Sequence, residues 1–90
     1  MQHTATFEII NQLGLHARAA AQLVRIANGH PCTVSLSCMG ETVNAKSIMG
    51  VLMLAVAKGM YISLCCEGEG AETCLADIGR LIQNRFGEPR

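Results

Sequence analysis

Four runs of this chain alternate apolar with polar residues, and two longer runs repeat apolar residues at the spacing of a helix. Period two makes a strand with one buried face, and apolar residues at i, i+3, i+4 and i+7 make a helix with one buried stripe. Such segments satisfy one another when helices lie across one face of a sheet, which predicts an α+β, two-layer open-faced sandwich with an antiparallel sheet whose other face is wet. Over residues 3–10, Ala5, Phe7 and Ile9 oppose Thr6, Glu8 and Ile10. Cys32, Val34, Leu36 and Cys38 oppose Thr33, Ser35 and Ser37 in the second strand, and Met39-Gly40-Glu41 turns the chain into a short third one over 42–45. Ile62, Leu64 and Cys66 mark the fourth. The helical stripes are Ala20, Leu23, Val24 and Ala27, stopped by Asn28-Gly29 and Pro31, and later Cys74, Leu75, Ile78, Leu81 and Ile82. A short helix over 48–54 completes the order β-α-β-β-α-β-α. Glu88-Pro89-Arg90 is expected to fray.

Ninety residues suit one domain over 1–90, with a core that needs no staples. No apolar stretch approaches the roughly 20 residues of a membrane span, and the first residues lack the basic-then-apolar layout of a signal peptide. A cytoplasmic protein that does not insert into a membrane is therefore expected. Seven basic and seven acidic residues are interspersed, and one Tyr, two Phe and no Trp offer no stacking platform, which argues against nucleic acid. Cys32, Cys38, Cys65, Cys66 and Cys74 form no C-x-x-C pair. They read as small hydrophobes in a reducing compartment, with no metal site and no cofactor. His3 and His30 stand alone, and no Ser/His/Asp set or carboxylate pair suggests an autonomous enzyme.

Two places carry chemistry. Leu13-Gly14-Leu15-His16-Ala17-Arg18 leads into an alanine-rich run, so a flexible turn puts His16 at or beside a helix N-cap. The free N–H groups there, including that of Ala17, favour phosphate or carboxylate and disfavour imidazolium. A neutral His16 could attack an electrophile, with Arg18 holding the anion it would then carry. An ordinary polar cap with a solvated arginine fits the spacing equally well. Further on, Ser47 reads as an N-cap for the short helix. Ile48, Met49, Val51, Leu52, Met53 and Leu54 wrap apolar surface almost all round it, yet a helix on the side of a small domain buries one stripe, so part stays exposed. Full burial is the alternative.

Gly-Leu-His-Ala-Arg at 14–18, Asn-Ala-Lys-Ser-Ile-Met-Gly-Val at 44–51 and Ala-Lys-Gly at 57–59 resemble the HPr family, phosphocarriers of the bacterial phosphotransferase system, nearly end to end. The resemblance implies strand order 1-4-2-3 with three helices on one face. It also implies that His16 takes a phosphoryl group on Nδ1 from enzyme I and passes it to IIA domains, with Arg18 and the Ala17 N–H steadying the phosphate. Val51 and Leu54 would turn inward, leaving Ile48, Met49 and Leu52 exposed beside Ala21 and Arg25 as a docking face. Ser47, within Lys-Ser-Ile-Met-Gly, would be the target of the HPr kinase/phosphorylase. A monomer is implied. Where the family commonly has proline, at a helix-starting position, this chain has Ala19. The competing reading is the nitrogen-related branch, NPr, a regulatory binding module with a similar histidine turn.

Overall fold

The computed structural model describes all ninety residues. The elements are β1 (Gln2–Glu8), α1 (Ala17–Asn28), β2 (Thr33–Cys38), β3 (Glu41–Asn44), α2 (Ile48–Met53), β4 (Tyr61–Glu67) and α3 (Ala71–Gln83), followed by a 3₁₀ turn over Arg85–Gly87. The sheet is antiparallel throughout, in the order β1-β4-β2-β3. Leu64 sits at its centre, opposite Ala5 on one side and Leu36 on the other.

The alternation seen in the sequence sorts the two faces. Val34, Leu36, Cys38, Ile62, Leu64 and Cys66 are buried towards the helices. On the other face, hydroxyls pair across strands: Thr6 with Ser63 at 3.2 Å and Ser37 with Thr42 at 2.7 Å. Such cross-strand pairs steady a solvated face while the buried face fixes the register. Leu23, Val24 and Ala27 of α1 and Cys74, Ile78 and Ile82 of α3 close the core, as their spacing predicts, while Leu75 and Leu81 are half-buried at its edge. Contact between α3 and β1 depends on Gly79, because a Cβ there would meet the Phe7 ring at 2.9 Å.

Gly29 caps the C-terminus of α1, as the sequence predicts, at φ −80°. One expectation changes. The C-terminal segment does not fray. Arg85 and Phe86 take φ of +53° and +55°, the left-handed region that costs an L residue roughly 1–2 kcal/mol. Burial of Phe86, 1% exposed, offsets that cost and turns the last residues back over the loop that precedes α1, where the Arg90 carbonyl accepts from the Gln12 N–H at 3.0 Å.

Candidate phosphoryl-accepting site

The loop before α1 is built on Asn11 and Gly14. Asn11 is fully buried; its Nδ2 donates to the Gly14 carbonyl at 2.8 Å, and its own carbonyl accepts from the Gly14 N–H at 3.2 Å. Gly14 has φ +69°, and a Cβ there would stand 2.6 Å from the Val56 carbonyl oxygen, so both angle and space require glycine. That same carbonyl accepts the Leu15 N–H at 2.9 Å. The chain is thus pinned on both sides of the turn just before His16.

His16 then emerges as the N-cap of α1, with extended backbone (φ −77°, ψ −179°) and its carbonyl accepting the first intrahelical bond from Ala20 at 2.8 Å. Its ring does not cap the helix. The N–H groups of Ala17 and Arg18 make no hydrogen bond within the chain, and no acidic side chain occupies the first turn. That end of α1 therefore keeps its positive pole.

The half-buried His16 ring is engaged through Nε2 by Oε2 of Glu88, and Oε1 of the same carboxylate accepts from Asn11 Nδ2 at 2.9 Å. Asn11 thereby holds both the loop that carries His16 and the carboxylate against its ring. The hydrogen bond from Asn11, then that from His16, with the charge of Arg18 adding, holds the Glu88 carboxyl below its ordinary value against the opposing effect of desolvation. An ionised carboxylate can only accept, so Nε2 carries the ring proton and Nδ1 keeps its lone pair. Beside the ring, Arg18, Gln12, Leu13, Glu88, Pro89 and Arg90 line an open groove of about 410 Å³, with two guanidinium groups among them. The arrangement offers a nucleophilic nitrogen, free N–H groups and fixed positive charge at one spot, which is what an incoming phosphoryl group requires.

Ser47 caps α2 in the predicted way: its Oγ accepts from the Gly50 N–H at 3.1 Å. The connection before it is tied down by Asn44 Oδ1 accepting from the Lys46 N–H at 2.9 Å and by Lys46 Nζ donating to the His30 carbonyl at 2.8 Å. Asn28 Nδ2, at the end of α1, donates to the Lys46 carbonyl at 3.3 Å. With Lys46 beside Asn28 and Val56 beside Leu15, α2 runs antiparallel along α1.

Val51 and Leu54 are buried, and Ile48 and Met49 are exposed, as the resemblance implies; full burial of this helix is thereby excluded. Leu52 departs from expectation. It is half-buried and packs on the core, and Met53, 77% exposed, takes the outward place. Ala21 is half-buried and Arg25 exposed on α1. Ala19 is the third helical residue rather than the first, although its N–H also belongs to the unpaired first turn. Sequence reasoning missed Asn11, Glu88 and Arg90 at this site.

The cysteines also regroup. Spacing suggests no shared site, yet Cys32, Cys66 and Cys74 meet in the core with their Sγ atoms within 4.8 Å of one another. Burial pushes the Cys66 and Cys74 thiols up, so both stay protonated.

A family model described as "PTS HPr component phosphorylation site" matches residues 3–84. Phosphocarrier protein HPr of Xylella fastidiosa (strain Temecula1) is 42% identical over 88 residues, covering 98% of this chain and 97% of the relative. That of Pseudomonas aeruginosa is 49% identical over 81 residues, covering 89% and 90%. Among solved structures, HPr-C-His from Thermoanaerobacter tengcongensis superposes with a TM-score of 0.95 at 38% identity, covering 98% of this chain and 99% of that one. No helix is long and apolar enough to cross a membrane. Because these likenesses take in the histidine turn, the serine-capped helix and the whole sheet together, the chain belongs to the HPr family, the phosphocarriers of the phosphotransferase system.

Proposed function

We propose that this carrier takes a phosphoryl group onto Nδ1 of His16 from enzyme I and gives it to a IIA domain of a sugar phosphotransferase system, working as a monomer in the cytoplasm. The observation that carries the reading is the hold of Glu88 on Nε2, which leaves the Nδ1 lone pair for attack. In each transfer one N–P bond breaks on the donor as one forms on the acceptor, and no water takes part. Arg18 and the N–H groups of Ala17 and Arg18 neutralise charge on the three equatorial oxygens as the phosphoryl group passes in line. Neither step is completed by this chain alone; the partner supplies the other reacting atom. Arg25, Ala21, Ile48, Met49 and Leu52, joined by Met53, form the docking face for both partners in turn. A small, flexible apolar surface suits contacts that must be short-lived.

Ser47 is the regulatory position, with HPr kinase/phosphorylase as its modifying partner. Its phosphate would sit at the α2 N-terminus, where the helix tolerates it, but next to the exposed Ile48 and Met49, where it opposes apolar docking.

Intact-mass measurement after incubation with phosphoenolpyruvate and enzyme I tests the reading. One acid-labile phosphoryl group is expected on the wild-type chain and none on a folded His16→Ala variant. Label retained by that variant would move the acceptor elsewhere.

A further inference from the structure

Three thiols from three separate stretches of the chain converge at the end of the sheet remote from His16. Cys66 lies in β4 opposite His3, whereas the other end of that pairing, Tyr61 with Glu8, leads towards the histidine loop. Cys32 immediately precedes β2, beside the strand position where Val34 pairs with Cys66. Cys74 stands in the first turn of α3, its N–H bonded to the Gly70 carbonyl at 2.9 Å. The β4–α3 turn passes directly over Cys32, whose Cα would lie 3.4 Å from a Cβ on Gly68. All three residues are at most 1% exposed. The other cysteines are outside the group: Cys38 ends β2, and Cys65 faces the wet side, accepting from Gln2 Nε2 at 3.0 Å.

We propose that Cys32, Cys66 and Cys74 form a preorganised three-sulfur site that binds one trivalent arsenic centre, taken up as arsenous acid.

Geometry and charge select this occupant. Thiolate bonds of about 2.3 Å to one centre hold three sulfurs roughly 3.5–4 Å apart, within the spread of these three. No histidine or carboxylate joins the group as a fourth ligand, which zinc would want. Three thiolates around a monovalent or divalent ion would leave net negative charge in the core. Asn11 is the only buried polar or charged side chain in the chain, so no buried cation offsets such a charge. Trivalent arsenic with three thiolates is neutral. Its uptake balances without redox: three S–H protons leave with the three hydroxides of arsenous acid as three waters, three As–O bonds break and three As–S bonds form. The short Gly68-Glu69-Gly70 turn over Cys32 is the entrance, and opening it breaks three backbone bonds: Ala71 N–H to the Gly68 carbonyl, Gly68 N–H to the Met1 carbonyl and Cys74 N–H to the Gly70 carbonyl.

The full chain, reduced with a phosphine, is titrated with sodium arsenite and followed by intact mass under native conditions and by As–S absorbance. One arsenic atom is expected per chain with the loss of three hydrogens, and a thermal midpoint that climbs with arsenite concentration. Losing one of three linked donors should weaken binding on the order of 10²-fold in Cys32→Ala, Cys66→Ala or Cys74→Ala. Cys38→Ala and Cys65→Ala should bind as wild type does, and phosphorylation of His16 should persist in the arsenic-loaded chain. An adduct that loses only two hydrogens and keeps a hydroxyl overturns the proposal. So does equal binding by Cys74→Ala, or a folded chain that takes no arsenic while the urea-unfolded chain does. The hydrogen count and midpoint shift are read on the unmodified chain, so they decide the matter even where an alanine variant does not fold.

Discussion

Glu88 closes on the imidazole of His16 from 72 residues further along the chain, and the buried amide of Asn11 grips the same carboxylate. The C-terminal segment is thus part of the site and sets which ring nitrogen is free.

Glu88→Gln tests that role. An amide oxygen still accepts from a ring N–H but carries no charge, so the proton is held less firmly on Nε2. Stability at pH 7 should fall on the order of 1 kcal/mol, and the rate of phosphoryl acceptance from enzyme I roughly tenfold. The pH dependence gives a second signature. Glu88 is depressed in the fold, so its contribution is present above the unfolded carboxyl value of about 4.3 and is lost as pH falls through the lower folded value. Urea denaturation at a series of pH values should show a shallower acid limb for the variant. Parallel limbs would mean that the contact contributes nothing in solution.

Asn11→Asp turns the clamp against itself. Its second oxygen replaces the donor that both Gly14 and Glu88 rely on and sets a buried carboxyl beside a carboxylate. We expect a loss of about 2–3 kcal/mol at pH 7. The like charge and burial should raise the pKa of the introduced carboxyl, so its variant-specific penalty grows as pH rises from about 4, opposite in sign to the Glu88 contribution. Denaturation midpoints that rise in parallel with those of wild type over this range would contradict the clamp.

Gly14→Ala should be the costliest single methyl in the loop. The left-handed angle costs about 1–2 kcal/mol, and the Cβ at 2.6 Å from the Val56 carbonyl forces the backbone apart. Because Leu15 hangs on that carbonyl, the displacement is passed to His16, and acceptance of phosphate should drop along with stability. Gly40, whose Cβ would meet nothing within 4 Å, provides the contrast: Gly40→Ala carries the angular strain alone and should leave transfer unchanged. Equal transfer rates in the two variants would show that the Gly14 contact does not position the histidine.

Much of this was legible in the sequence wherever local chemistry decides. Period-two runs and helical stripes placed the strands and helices, and Gly14, His16 and Ser47 each have a local backbone reason for their position. Leu52 was placed outward because an apolar six-residue helix has no polar face to set its rotation, which contact with α1 decides instead. Glu88 was invisible for another reason. Its approach depends on left-handed angles at Arg85 and Phe86, which no propensity favours and which buried packing of Phe86 imposes. Cys32, Cys66 and Cys74 meet only once β2, β4 and α3 are assembled, so their spacing along the chain carries no signal.

Ser47 allows the structural and regulatory roles of one side chain to be separated. Its Oγ already serves the Gly50 N–H, so Ser47→Ala should cost about 1 kcal/mol through the lost cap while His16 accepts phosphate at the wild-type rate. Ser47→Asp keeps a capping oxygen and adds negative charge at the positive end of α2, so its stability should match or exceed that of wild type. That charge lies next to Ile48 and Met49, which are 42% and 69% exposed and would face a partner. Phosphoryl acceptance by Ser47→Asp should therefore slow about tenfold, the equivalent of roughly 1.4 kcal/mol of docking energy. The measurement pairs thermal unfolding with enzyme I kinetics for both variants. Slowing in the alanine variant as well would assign the effect to a disturbed helix, whereas slowing in the aspartate variant alone assigns it to charge in the docking face.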